Sequence, residues 1–138
     1  MRAVRSLTAL GATLAFLAPI ATPAGEPQTD YMLNCMGCHT ADGHGSPGKV
    51  PSLRNTLGPL AADEEGRRYL VEVPGVAQSQ LSDAAVAALL NWMVRNLAGE
   101  RTSFVDFSTR EVAHYRAQRL TAVAATRAQI LSRIRAGI

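Results

Sequence analysis

The feature that most limits what this chain can fold into is the pentapeptide CMGCH, residues 35 to 39. It holds the only two cysteines among 138 residues, three positions apart, with His39 directly after the second. Whatever this stretch binds or cross-links must sit beside it, and the rest of the chain has to be arranged around that point. A disulfide would need only the two thiols and gives the histidine no role. A thioredoxin-like redox pair would want a strand–helix–strand context, and a structural zinc site would want two more ligands. His44 and His114 are the other histidines, and no cysteine is left over. The spacing suits covalent attachment of haem, in which two thiols add to the vinyl groups and the adjacent histidine meets the iron from below.

The opening segment, MRAVRSLTALGATLAFLAPIATPAGEP, sets the compartment. Two arginines precede an apolar run from Leu7 to Ile20, and small residues close it at Thr22, Pro23 and Ala24, the three-part layout of a secretory signal. Cleavage is expected after Ala24, with Gly25 as the neighbouring alternative. The run is short for a bilayer span, and an uncleaved N-terminal anchor is the competing reading. The chain thus divides into a signal at 1–24, a haem-attaching domain at 25–100 and a C-terminal extension at 101–138. The mature protein is expected in the periplasm, without a stable membrane span. Arg2 and Arg5 leave with the signal, so twelve Lys and Arg face eleven Asp and Glu, a near balance that gives no support to nucleic-acid binding. With 47% apolar and 18% charged residues, the chain is long enough for one domain with a real core.

The pattern of the mature chain is helical. A polar start and the apolar group Tyr31, Met32 and Leu33 predict a short helix from about Gln28 into Cys35. Thr40 to about Pro59 is rich in Gly, Pro, Ser and Asn and reads as loop. A short helix is expected around Asp63 to Val71, ended by Pro74 and Gly75. The strongest signal is LSDAAVAALLNWMVRNLAG, with Ser82 as N-cap, Asp83 in the first turn and Gly99 closing the end. There Val86, Leu89, Leu90, Met93, Val94 and Leu97 recur at helical spacing, so one face must be buried. No repeat or strand alternation long enough for a sheet is present.

The stretch CMGCHTADGHGSPGKVPSL resembles the attachment region of class I cytochromes c, where the motif is followed by an Asp-Gly-x-Gly turn and a Pro-x-Leu. The resemblance runs from about Gln28 to Leu97 and implies a small all-α domain wrapped around one covalent haem c and its iron. It implies thioether bonds at Cys35 and Cys38, His39 as the proximal ligand, and the Pro51 carbonyl as acceptor for the outer ring nitrogen of that histidine. Such a partner fixes the ring and raises the basicity of the ligating nitrogen. Turn punctuation among Gly45, Pro47 and Gly48 is the plainer account of Pro51. The resemblance also implies that an aromatic near the end of the last family helix, here Trp92, packs on the first helix. It fails at one place: where the family carries a methionine before that helix as second axial ligand, this chain has Val73 before Pro74.

The distal ligand is therefore sought by elimination. Met1 leaves with the signal, Met36 lies within the motif and Met32 precedes it, which leaves Met93 as the downstream thioether. His/Met ligation would raise the reduction potential relative to two imidazoles. Against this, a methionine in mid-stripe is commonly core filling. His44, His114 and an open sixth position are the rivals.

The extension begins with Phe104 and Phe107, and Ser108-x-x-Glu111 has the pattern of a capping box that predicts a long helix from near Thr109. Val112, Leu120, Val123, Ile130, Ile134 and Ile138 form a stripe that Arg116 and Arg127 interrupt. These arginines either snorkel over an ordinary docked helix or meet haem propionates or an acidic partner. With no acid–base pair near the motif, the expected function is electron transfer rather than catalysis. On this reading the chain is an exported monohaem carrier passing single electrons between periplasmic protein partners. Two alternatives stay open: a subunit docked to a periplasmic dehydrogenase through the extension, and an open-site haem protein acting as a ligand sensor or peroxidase-like enzyme.

Overall fold

Helix α5 (Asp83–Leu97) is the element on which the others are placed, and its sequence says why. The Ser82 hydroxyl accepts from the Ala85 amide at 3.2 Å, satisfying one of the donors that a helix start leaves unpaired. Gly99, at φ +87°, stops the helix in the left-handed region that glycine enters without a Cβ penalty. Between these ends Val86, Leu89, Leu90, Met93, Val94 and Leu97 are all buried, as their spacing requires. Burying a side chain of the Leu or Val kind stabilises by roughly 1.5–3 kcal/mol, so this face outweighs the modest propensity of so short a helix.

In this computed structural model residues 25–99 and 103–137 are described. The expected signal at 1–24, the junction of the two proposed segments near residue 100 and the stripe residue Ile138 lie outside them. Six further helices complete the described chain: α1 (Pro27–Asn34), α2 (Leu57–Ala62), α3 (Glu64–Glu72), α4 (Pro74–Ala77), α6 (Thr109–Arg116) and α7 (Val123–Ala136). The protein is all-α, and among the described residues extended pairing is confined to one bridge between Ser46 and Val50. None of the described helices is long and apolar enough to cross a membrane.

α1 and α6 both lie against α5, while α3 joins α2, α6 and α7. The α1–α5 contact is made by Tyr31, 1% exposed, whose ring lies 5.6 Å from that of Trp92. α3 starts at Asp63, whose carboxylate accepts from the Gly66 amide at 2.9 Å. Gly66 is required there: a Cβ would come within 2.3 Å of the Leu60 carbonyl oxygen.

Two expectations are corrected. Leu57–Ala62 is helix rather than loop, because Pro59 falls in the first turn, where a missing amide costs nothing. The extension is two helices rather than one. Ser108 and Glu111 do form the reciprocal capping box of α6, but the chain breaks after Arg116 and resumes at Val123. The break turns α7 back over α2 and α3, where Ile130 and Leu131 are buried. Arg133 then bonds Asp63 at 2.7 and 3.0 Å. An uninterrupted helix would have carried these residues away from the surface they cover.

Candidate functional site

The last turn of α1 runs directly into CMGCH. The amides of Cys35 and Met36 donate to the Tyr31 carbonyl at 2.9 and 3.0 Å, and those of Cys38 and His39 donate to the Cys35 carbonyl at 3.1 and 2.9 Å. These bonds coil the motif, and coiling brings positions i, i+3 and i+4 onto one side. Cys35, Cys38 and His39 are thereby grouped by local geometry alone. Both thiols are free, Cys38 exposed and Cys35 half-buried. Burial pushes the Cys35 thiol up to about 11, with the nearby Asp30 and Cys38 acting in the same direction.

Tyr31 ties this turn to the core. Its hydroxyl is 2.7 Å from the Thr40 carbonyl oxygen and 3.1 Å from that of His39, so the buried phenol fixes the backbone immediately around the histidine. Burial raises the phenol to about 12, and Cys35 and Asp42 add to the rise.

The loop after His39 is held by its own polar groups. Thr40 Oγ1 lies 2.6 Å from Asp42 Oδ1 and 2.7 Å from the His44 carbonyl, while Arg54 donates to the Asp42 carbonyl at 3.2 Å. The Thr40 hydroxyl holds the Asp42 carboxyl below the usual carboxylate range. At Gly45 the chain passes so close to itself that a Cβ would lie 2.0 Å from the Val50 carbonyl oxygen and 2.8 Å from the Pro51 carbonyl carbon. Pro51 is thus placed by the loop's own closure.

His39 Nδ1 is buried without a completed hydrogen bond. Burial lowers the imidazole pKa, and the Pro51 carbonyl, the backbone acceptor acting on it, pushes in the opposite direction. Pro51 is the backbone acceptor that bears on the ring, and Nδ1 is left without a partner.

These residues fit the group that the motif implies. Two free thiols and an imidazole lie on one coil, beside apolar side chains left in the open: Met32 is 51% exposed, Leu33 78% and Met36 37%. Such side chains are what an apolar macrocycle would cover. A cavity of about 550 Å³ adjoins the loop, lined in part by His44, Lys49, Pro51, Tyr69, Val123 and Arg127. Burial raises the Tyr69 phenol pKa, and Arg127 opposes the rise.

The distal candidates are dispersed. Met93, 5% exposed, belongs to the buried cluster that contains Leu90, Val94 and Leu97, and that packing accounts for its burial. His44 is exposed and 3.7 Å from Asp42. His114 is exposed on α6 with its ring 5.3 Å from that of Tyr115.

Sequence reasoning missed Arg67, and it singled out Arg116 without finding what that residue holds. Arg116 reaches the segment between α4 and α5, donating to the carbonyls of Ser79, Leu81 and Ala77 at 2.6, 2.8 and 3.3 Å and to Asp83 at 2.8 Å. With its side chain 15% exposed, it does not snorkel. Arg67 grips Glu111 through two bonds of 2.7 Å and covers the ring of Phe107, joining α3 to α6. The one sequence signal for Arg116 was the interruption it makes in an apolar stripe. Arg127 donates to Thr56 at 3.2 Å and lines the cavity.

No family model matches the chain. It is, however, 32% identical over 107 aligned positions to a cytochrome c-552 of Thermus thermophilus, covering 63% of this chain and 82% of that protein. A second cytochrome c-552, from a named strain of the same species, is also 32% identical over 107 positions, covering 72% of its length.

Proposed function

Since this chain belongs to the c-type cytochromes, we propose that it is an exported monohaem electron carrier serving protein partners in the periplasm. Haem c, bound covalently with its iron, is the cofactor, and it supplies a one-electron couple. The observation that carries the reading is the coiled CMGCH turn, in which two free thiols and His39 share one side. Cys35 and Cys38 would hold the group, and His39 would ligate its iron. Tyr31 keeps that histidine in place through the backbone, and the Pro51 carbonyl is the backbone acceptor that would steady its ring. An electron carrier gains from such stiffness because little has to rearrange when charge changes.

The direct test is haem staining after denaturing electrophoresis. The parent is expected to retain stain, the Cys35→Ala and Cys38→Ala variants much less, and the double variant none. Full staining of the double variant overturns the assignment.

A second reading concerns the sixth iron position. The packing of Met93 with core leucines and valines, and the exposure of His44 and His114, favour a position open to a small external ligand. On that reading the oxidised protein binds cyanide and the reduced protein carbon monoxide without displacing a side chain. Failure to bind either restores an internal ligand, with Met93 the first candidate. A dehydrogenase is one class of partner that the extension, α6 and α7, would suit as a docking element.

A further inference from the structure

We propose that hydrolysis between Ala24 and Gly25 creates a partner for Asp30, so that the new amino terminus of the mature chain is an ion-paired part of the fold. The reasoning starts at the head of α1. Glu26 is its N-cap but its side chain caps nothing, and Pro27 stands at the first helical position. Asp30, one turn in, is 8% exposed, and its Oδ2 is buried with no hydrogen-bond partner. A carboxylate so placed costs stability unless a donor meets it. Gly25 is the residue that faces it: a Cβ there would lie 2.9 Å from Oδ1 and 3.2 Å from Oδ2 of Asp30. Gly25 and Asp30 hold the flanking and fourth helical positions, which in many helices touch through apolar side chains. Here the pair is a residue with no side chain and an acid.

Within an unprocessed chain the nitrogen of Gly25 is an amide with a single proton fixed in the peptide plane. Cleavage by a signal-peptide endopeptidase adds water across the Ala24–Gly25 bond, leaving a carboxylate on Ala24 and an α-ammonium on Gly25. The ammonium carries three protons and a full positive charge, rotates freely, and meets an acid already buried within reach. Glycine suits the place because a Cβ would crowd the carboxylate and push it aside. The consequence extends to the attachment turn, since Asp30 is one turn before Asn34 and bears electrostatically on Cys35. Processing would fasten the first turn of the helix that presents both thiols.

This inference rests on the export reading, and the test separates the two. Intact-mass measurement and N-terminal sequencing of the exported holoprotein should show a chain beginning at Gly25. A chain that retains residues 1–24 overturns signal cleavage and the pairing with it; one that begins elsewhere overturns the pairing. Thermal unfolding is then compared for four holoproteins: the Gly25 terminus and a terminus extended by two residues, each with Asp30 and with Asp30→Asn. The expected result is a fall of several degrees on Asp30→Asn in the Gly25 form and little or none in the extended form. Equal shifts in both forms overturn the pairing and leave export standing. Should Asp30→Asn fail to fold, NMR titration of the Gly25 α-amino group in the parent decides alone. A pKa raised above the ordinary range of about 7.7–8.0 supports the pair, and an ordinary value refutes it.

Discussion

Removing one oxygen from Tyr31 tests whether the core fixes the backbone around His39. Tyr31→Phe keeps the ring that packs 5.6 Å from Trp92 and deletes only the hydroxyl, which lies 2.7 Å from the Thr40 carbonyl oxygen and 3.1 Å from that of His39. A hydroxyl has one proton, so one net hydrogen bond is lost. Thr40 itself is exposed, so water can replace the phenol at its carbonyl, and the cost falls at the low end for such deletions, about 1 kcal/mol. For a chain of this size that is about 3–6 °C in midpoint, read by circular dichroism on the purified holoprotein. The deficit should also depend on pH. Burial raises the Tyr31 phenol from 10.0 to about 12 in the folded state, so the native state holds a proton that the unfolded state gives up. Tyr31 therefore costs the parent stability as pH rises above the unfolded value, and Tyr31→Phe escapes that loss. The two midpoints should converge between pH 10 and 12. A variant within about 1 °C of the parent at pH 7, or a gap that does not narrow in alkali, would refute the argument.

Met93→Leu preserves volume and apolarity, so for a residue packed as Met93 is, the loss should be under about 1.5 kcal/mol, with the absorption spectrum and cyanide binding unchanged. A new affinity for cyanide, together with a lowered reduction potential, would instead identify Met93 as the distal ligand. The docking of α7 should be acid-sensitive. Arg133 holds the Asp63 carboxyl below its ordinary value, so the pair's contribution is complete above the unfolded value of about 3.9. It is lost as pH falls through the lower folded value. Asp63→Asn should remove that part of the acid dependence and weaken the start of α3, and hydrogen exchange measures the first at the α7 amides and the second at the first-turn amides of α3.

The attachment turn was legible in the sequence because its chemistry and its geometry are both local. Three side chains at i, i+3 and i+4 meet whenever the backbone coils, and nothing distant is needed to bring Cys35, Cys38 and His39 together. The caps at Ser82, Ser108 and Gly99 and the buried stripe of α5 were legible for the same reason, since each is a relation between residues a turn apart. Gly, Pro and Asn between Thr40 and Pro59 rightly marked a loop for most of their length, but Pro59 was misleading, because composition does not say where in a helix a proline will fall. What only the tertiary structure decided joins segments far apart in the chain: Arg67 with Glu111, Arg133 with Asp63, and Arg116 with the carbonyls before α5. A long arginine can satisfy many acceptors, and a stripe broken by one shows only that the helix is not uniformly apolar. Which acceptor it finds depends on where the chain turns back, and here the break between Arg116 and Val123 set that by returning α7 to the surface that buries Ile130 and Leu131.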